Sequence, residues 1–407
     1  MRALYAAAGS LLYAVAWPFL RAVSLFPGET GRSMRERLGY LPAGLPRGAV
    51  WVHAASVGEV TALAPFFREM SKRRRLRLAI SVMTRTGKAR ARALYRFPVV
   101  QAPLDASGPV RRWLDRAAPR VLIVAETELW PVWLGASADR CPVVWLNGRI
   151  SDRSWGAYRR AAPLMRGLLS RFAGLAVISR LDARRAALLG ASRSRITVTG
   201  NLKVDALSPA APPAGLPGGT WIVAGSTRPG EEAVVLEAFR AVRARHPMAK
   251  LVLAPRHLAR VGEVAGLVRA AGLEPALRSA GPPRSGSVLV LDTMGELNAM
   301  YRLAAIAFVG GTLVPVGGHN VLEPAIAGAP VLFGPWTANV REHAAGLIRA
   351  GGAWRVGSPR AMARRLDALL SRPRAARRAG ARALAYVRSQ RGAARRAVRF
   401  LSMGGWI

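Results

Sequence analysis

Residues 50–60, VWVHAASVGEV, and residues 221–232, WIVAGSTRPGEE, decide how this chain folds. Each opens on a near-continuous apolar run, turns through a serine, and reaches Gly or Gly-Glu where a helical pattern begins. Apolar runs without alternation mark strands buried on both faces, and a strand leading straight into a helix begins a βα unit. Outward from the first stretch (49–54), further strands are expected at 78–82, 121–125, 143–146, 175–178 and 196–198, with helical spacing at 59–70 and 181–189. Outward from the second (221–224), strands are expected at 251–254, 288–291, 306–309 and 331–333, with a helix at 231–245. Such alternation predicts parallel sheets covered by helices.

Between the two halves lies SPAAPPAGLPGGT (208–220), with four prolines and three glycines, the best linker in the chain. The expected architecture is α/β: two Rossmann-like domains facing each other across a cleft, each presenting its first βα turn and helix N-terminus to it. The expected boundaries are an N-terminal membrane segment 1–21, a first domain 22–207, the linker 208–220, a second domain 221–385, and a helical tail 386–407 returning to the first domain.

Length and composition narrow the class. A chain of 407 residues with 51% hydrophobic and 20% charged residues holds two or three globular domains, which excludes disorder and disulfide scaffolds. Lys plus Arg at 61 against Asp plus Glu at 22 leaves 61 − 22 = +39. That excess favours a polyanion or an anionic, phosphorylated lipid, although an arginine bias spread over solvated faces gives the same arithmetic. Nucleic acid is the weaker partner, since basic runs such as Lys72-Arg73-Arg74-Arg75 carry little aromatic interleaving. The lone Cys141 forms no internal disulfide, and the five histidines lie far apart, so no metal site is expected.

Residues 3–20 are uncharged and are flanked by Arg2 and Arg21; 18 residues cover about 27 Å as a helix, just short of a ~30 Å hydrocarbon core. No clean small-x-small site follows, and Trp17-Pro18 suits an anchor at the interface better than a cleaved signal. Arginines at 21, 32, 35, 37 and 47 place the body on the cytoplasmic side.

The candidate chemistry sits at strand ends. Glu59 at the start of a helix either complements its dipole or serves as a general base. Glu126 and Glu128 in AETELWP (125–131) follow an apolar strand directly, where they either serve a site at the sheet's carboxyl end or one of them caps the helix that Pro131 begins. Gly310-Gly311-Thr312 and GGHNVLEP (317–324) offer main-chain N–H groups to a phosphate and Glu323 to ribose hydroxyls, or else form tight turns. Arg256 in LAPRH (253–257) suits a phosphate or a pyrimidine edge. Neither half carries G-x-G-x-x-G, and Thr86-Gly87-Lys88-Ala89 is an incomplete phosphate loop. AASVG (54–58) is a near miss to a nucleophile elbow, to which His319 and Asp292 would add a hydrolase triad.

In order and spacing, HAASVGE, AETELWP, TGNLK (199–203), LAPRH, DTMGEL (292–297), FVGGTL (308–313) and GGHNVLE resemble the 3-deoxy-D-manno-octulosonic acid (Kdo) transferases of lipid A assembly. The resemblance spans about residues 30 to 350. It implies a GT-B fold and inverting, metal-independent transfer of Kdo from CMP-Kdo to a phosphorylated, acylated disaccharide at the cytoplasmic face of the inner membrane, with no cofactor. It implies that Glu59 is the proton acceptor, with Glu126 and Lys203 as transition-state stabilisers. CMP contacts would come from Pro255 and Arg256, from Met294, Gly295 and Glu296, and from Asn320, Val321, Leu322 and Glu323. Val321 stands where the family places proline, and Arg85 where its loop often does. Two rivals fit parts of the pattern: a GT-B-like sugar-nucleotide epimerase or hydrolase, and a basic nucleic-acid-binding protein.

Overall fold

In a computed structural model, which describes residues 2–73, 76–213, 215–216, 218–281 and 288–407, the chain divides into two units. Arg74 and Arg75 of the basic run, Ala214 and Pro217 of the linker, and Met1 lie outside the described residues. The first unit is Met1–Ala206 with Arg391–Ile407, and the second is Leu207–Gln390. The expected end of the second domain at residue 385 falls inside the helix Pro373–Gln390, which runs through it without a break.

The first unit is built on a seven-stranded parallel sheet: β1 (Val50–Ala54), β2 (Leu78–Val82), β3 (Val99–Gln101), β4 (Val121–Ala125), β5 (Val143–Gly148), β6 (Gly174–Val177) and β7 (Ile196–Val198). Their spatial order is β3-β2-β1-β4-β5-β6-β7. The chain therefore reverses direction across the sheet between β1 and β4, the place where open α/β sheets leave a crevice. β1 and β4 are buried at every residue, as their unbroken apolar runs require. One face holds the edge-to-face series Trp51, Trp113 and Trp133, with ring centroids 4.6 and 5.2 Å apart. His53, wholly buried beside them, is pushed down to about 3 by burial and stays neutral.

The second unit repeats the plan with β8 (Thr220–Thr227), β9 (Ala249–Pro255), β10 (Pro275–Leu277), β11 (Val288–Val290), β12 (Ala304–Val309), β13 (Val331–Phe333) and β14 (Ala353–Arg355). The order is β10-β11-β9-β8-β12-β13-β14, all parallel, and its reversal falls between β8 and β12.

Two departures from the sequence reading have local causes. The single helix expected over 59–70 is two, Val57–Ala62 and Ala64–Ser71, because Pro65 lacks the N–H that would continue the first. The three-residue strands β3, β10 and β14 were not expected.

The apolar N-terminal segment is one helix, Arg2–Leu25, which passes through Pro18 and beyond the expected end at residue 21. It lies against the helices Ser107–Ala117 and Pro131–Ala138: Arg112 donates to Tyr13 Oη at 2.9 Å and sits 5.8 Å above the Trp17 ring. Its other side leaves Leu11, Leu12, Val15 and Phe19 about 70% exposed. At the far end of the chain, Ala393–Met403 packs on the same unit, and Asp205 accepts from Gly392 N and Ala394 N at 2.7 Å each.

Candidate functional site

In the first unit the residues of interest gather at the β1/β4 reversal. Ser56 caps the helix Val57–Ala62, accepting from Glu59 N, and the Glu59 side chain reaches back so that Oε2 accepts from Ala55 N at 2.6 Å. This is a variant of the capping box, shifted one residue outward. One hydrogen bond is little support for a carboxylate only 9% exposed. Burial first, then the charges of Glu126 and Glu128, push its pKa up to about 7 against the opposing pull of the Ala55 hydrogen bond and Lys203. Glu59 is thus poised to exchange a proton near neutrality, which a helix cap does not need.

Glu126 follows β4 immediately and adopts φ 57°, an uncommon conformation for a side chain larger than glycine's. The strain is held by three contacts: Glu126 N donates to Leu146 O at 3.0 Å, the Trp145 indole donates to Glu126 O, and Asn147 Nδ2 reaches Oε1 at 3.5 Å. Lys203 closes the group, its Nζ 2.7 Å from Oε1 and 3.0 Å from Oε2. Asn147, itself at φ 53°, accepts from Leu202 N at 2.9 Å and so fixes the short helix that carries Lys203. Glu59, Glu126 and Lys203 therefore stand within electrostatic reach of one another, although 144 residues separate the first from the last (203 − 59). Glu128 is turned to Trp130 Nε1 at 2.8 Å.

The second unit disposes its candidates around β8, β9 and β12. Pro255 ends β9, and Arg256 N donates to Thr227 O at 3.0 Å, leaving the guanidinium exposed. Asn320 donates to Glu323 Oε1 at 3.1 Å and accepts from Leu322 N at 3.1 Å. Burial raises the Glu323 pKa while Asn320 and the nearby Arg256 charge oppose it, so Arg256 and the 320–323 turn face a common space. The Val321 and Leu322 side chains are buried, leaving only their main chain for a ligand. Met294, 80% exposed, Gly295 at φ 88° and Glu296 follow β11, the strand beyond β9. Glu296 is held by Thr293 and by Arg278 at 3.1 Å, which lower its pKa; no described contact ties it to Arg256.

One sequence expectation is overturned here, and two near-miss motifs find no support. The N–H groups of Gly311, Thr312 and Leu313 are not open to a phosphate. The fully buried Glu231 accepts from all three, at 2.6, 2.9 and 2.8 Å, and from Arg228 N at 2.9 Å. The hydrolase triad has no acid–histidine pair: Asp292 is bound to Ser279, and His319 Nε2 accepts from Arg228 at 3.2 Å. Lys88 of the incomplete phosphate loop is buried between Glu36 at 2.7 Å and Glu29 at 2.9 Å.

Sequence reading had also passed over Arg228 and His257. Arg228 bridges His319 and His257 (2.9 Å), and burial together with Arg228, Arg256 and His257 pushes His319 down to about 4. Arg228 and Arg256 thus bring two guanidinium groups to the β8/β12 reversal, with Glu323 near Arg256. The Arg at the strand exit within TRPGEE was the available signal. Among the described residues, no three His, Cys, Asp or Glu side chains group as metal ligands.

Comparison with known proteins gives two kinds of likeness. The family described as 3-Deoxy-D-manno-octulosonic-acid transferase (kdotransferase) matches residues 32–206. The 3-deoxy-D-manno-octulosonic acid transferase of Bordetella pertussis is 37% identical over 368 residues, covering 85% of each chain. That of Haemophilus influenzae is 33% identical over 373 residues, covering 86% of each. Among solved structures, UDP-GlcNAc 2-epimerase from Neisseria meningitidis aligns with TM-score 0.63 at 12% identity, covering 87% of this chain and all of that one. The last likeness carries the fold alone, the two Rossmann-like domains of GT-B type.

Proposed function

The chain belongs to the 3-deoxy-D-manno-octulosonic acid transferase family and is a glycosyltransferase, and from that premise we propose the rest of the reaction. The protein transfers Kdo from CMP-Kdo to a glucosamine hydroxyl of a phosphorylated, acylated lipid A precursor, in lipopolysaccharide assembly. The observation that carries this reading is the Glu59 carboxylate, raised to about 7 beside the Glu126–Lys203 pair.

Glu59 takes the proton of the acceptor hydroxyl as its oxygen attacks the anomeric carbon of Kdo. The bond from that carbon to the CMP phosphate breaks, and its electron pair leaves on the phosphate oxygen. A single displacement of this kind inverts the anomeric centre. Lys203 and Glu126 stabilise the charge that develops between hydroxyl and sugar, while Arg256 and the 320–323 turn hold the CMP, with Pro255 and the 294–296 loop beside it. Charge redistribution on fixed side chains suffices, so neither a redox cofactor nor a metal enters the scheme.

The site of action is the cytoplasmic face of the inner membrane. The N-terminal helix supports this with its exposed row of Leu11, Leu12, Val15 and Phe19, and the +39 net charge suits an anionic leaflet.

The test is direct. Purified protein incubated with CMP-Kdo and the lipid A precursor should raise the acceptor mass by whole Kdo increments, whose number counts the transfers. Release of CMP without acceptor, with no mass gain, would assign the protein to sugar-nucleotide hydrolysis or epimerisation instead.

A further inference from the structure

The second unit contains a cavity of about 450 Å³, within the size range of small-ligand sites, that the chemistry above leaves unused. It lies at the amino ends of the strands. Thr220, Ala249 and Ala304, at the starts of β8, β9 and β12, line one side; Leu369 and Ala376, from the helices Pro359–Leu370 and Pro373–Gln390, line another. Arg256 and Gly310 follow the carboxyl ends of β9 and β12, and the eight residues of β8, at about 3.3 Å each, put roughly 25 Å between the two edges of the sheet. The cavity is therefore separate from the residues assigned to CMP.

Small side chains make the space, since alanine stands at the start of both β9 and β12 where a larger residue would close it. The lining includes no Phe, Tyr or Trp, and of its polar side chains two are already engaged. Arg245 donates to Asp367 Oδ2 at 2.7 Å, and His246 Nε2 lies 2.8 Å from Asp367 Oδ1. Arg377 also lines the cavity; it is exposed and has no carboxylate partner among the described residues. Its helix carries Arg374, Arg378, Arg382 and Arg388 besides and no acid. The first turn of that helix borders the opening, so its dipole and its arginines give the entrance one sign. Mainly aliphatic walls with one free guanidinium at the entrance match a flexible hydrocarbon chain that ends in an anion. The volume suits one such chain of medium length, not the pair that a phospholipid carries.

We propose that this cavity binds a fatty-acid anion, with the chain against Ala249, Ala304 and Ile306 and the carboxylate on Arg377. The site gives the second unit a lipid ligand of its own, independent of both substrates of the transfer reaction.

The experiment irradiates the full chain, in a neutral detergent, with dodecanoate carrying a terminal diazirine, and maps the labelled peptides. The exposed row Leu11, Leu12, Val15 and Phe19 takes up label from the micelle and serves as the internal reference. Relative to it, label should concentrate on residues 245–249, 304–306 and 369–377, and unlabelled dodecanoate should displace it there about tenfold better than dodecanol. Arg377→Gln, at an exposed position that should not disturb folding, should lower labelling of these segments about tenfold, and Arg377→Lys should restore part of it. Ala305→Phe, which places a ring in the cavity from the start of β12, should abolish it. These variants should transfer Kdo at the wild-type rate. Label confined to the N-terminal helix overturns the site. Labelling of the three segments that Arg377→Gln leaves intact overturns the anionic ligand, and displacement by phosphatidylglycerol as effective as by dodecanoate overturns the single chain.

Discussion

The two βα turns that open the two halves look alike in sequence and serve opposite ends. After β1, Glu59 receives one hydrogen bond, from Ala55 N, and lies near Glu126 and Glu128, so that its proton is retained to about pH 7. After β8, Glu231 receives four main-chain N–H groups. Both stand at the reversal of a parallel sheet, where a crevice is available. In the first unit the crevice is left to a carboxylate raised to about 7. In the second the carboxylate itself fills the cradle beside Gly310 and Gly311. A carboxylate at a helix start becomes a base when it is buried with too few donors and an anchor when the donors are saturated.

The contrast can be broken in order of effect. Glu59→Gln should lower transfer by roughly 10² to 10⁴ while leaving CMP affinity unchanged by calorimetry, since the base and the CMP residues lie in different units. Its stability should move the other way. The folded pKa of Glu59 lies above the ordinary glutamate value of 4.5, so its stabilising contribution is complete below that pH and is lost as the pH rises through about 7. Above pH 7 the Gln variant should therefore be more stable than wild type by up to about 3 kcal/mol and unfold at a higher temperature. A variant with normal turnover would return Glu59 to a capping role.

Glu231→Ala should show the converse, a structural loss. Leaving four buried N–H groups unpaired should cost about 3–5 kcal/mol and lower the melting temperature by roughly 10 °C. Unchanged melting would mean that the 311–313 turn holds itself and that Glu231 is incidental. Arg256→Ala should weaken CMP binding by about 1.5–3 kcal/mol with little change in melting, and calorimetry showing full affinity would remove Arg256 from the donor site.

The smallest effects concern tuning. In wild type, kcat/KM should rise with pH and level off near 7, because the base must be ionised. Lys203→Met should shift that limb upward, since Lys203 favours ionised Glu59; a downward shift would contradict the arrangement. Added EDTA should leave the rate unchanged, and loss of activity restored by Mg²⁺ would contradict the metal-free scheme.

Much of this could be read along the chain, and the misses share one cause. β2, β4 and β13 were legible to the residue, because a buried parallel strand is a near-continuous apolar run recorded locally. The pairing of Glu126 with Lys203 was foreshadowed only by family likeness, since 77 residues separate them. The opening of the 310–313 turn to phosphate was misjudged because the group that fills it, Glu231, lies 80 residues upstream of Gly311.

The sequence by itself determined the two doubly wound sheets, the Pro/Gly segment between the halves, the apolar N-terminal helix and the strand ends where chemistry collects. These follow from periodicity and backbone preference, which act over a few residues. Only the tertiary structure decided which carboxylate is starved of donors and which is saturated, and which cations remain unpaired. Those properties depend on desolvation and on partners brought together from distant segments, and the free energy of a buried charge is set by what surrounds it in space.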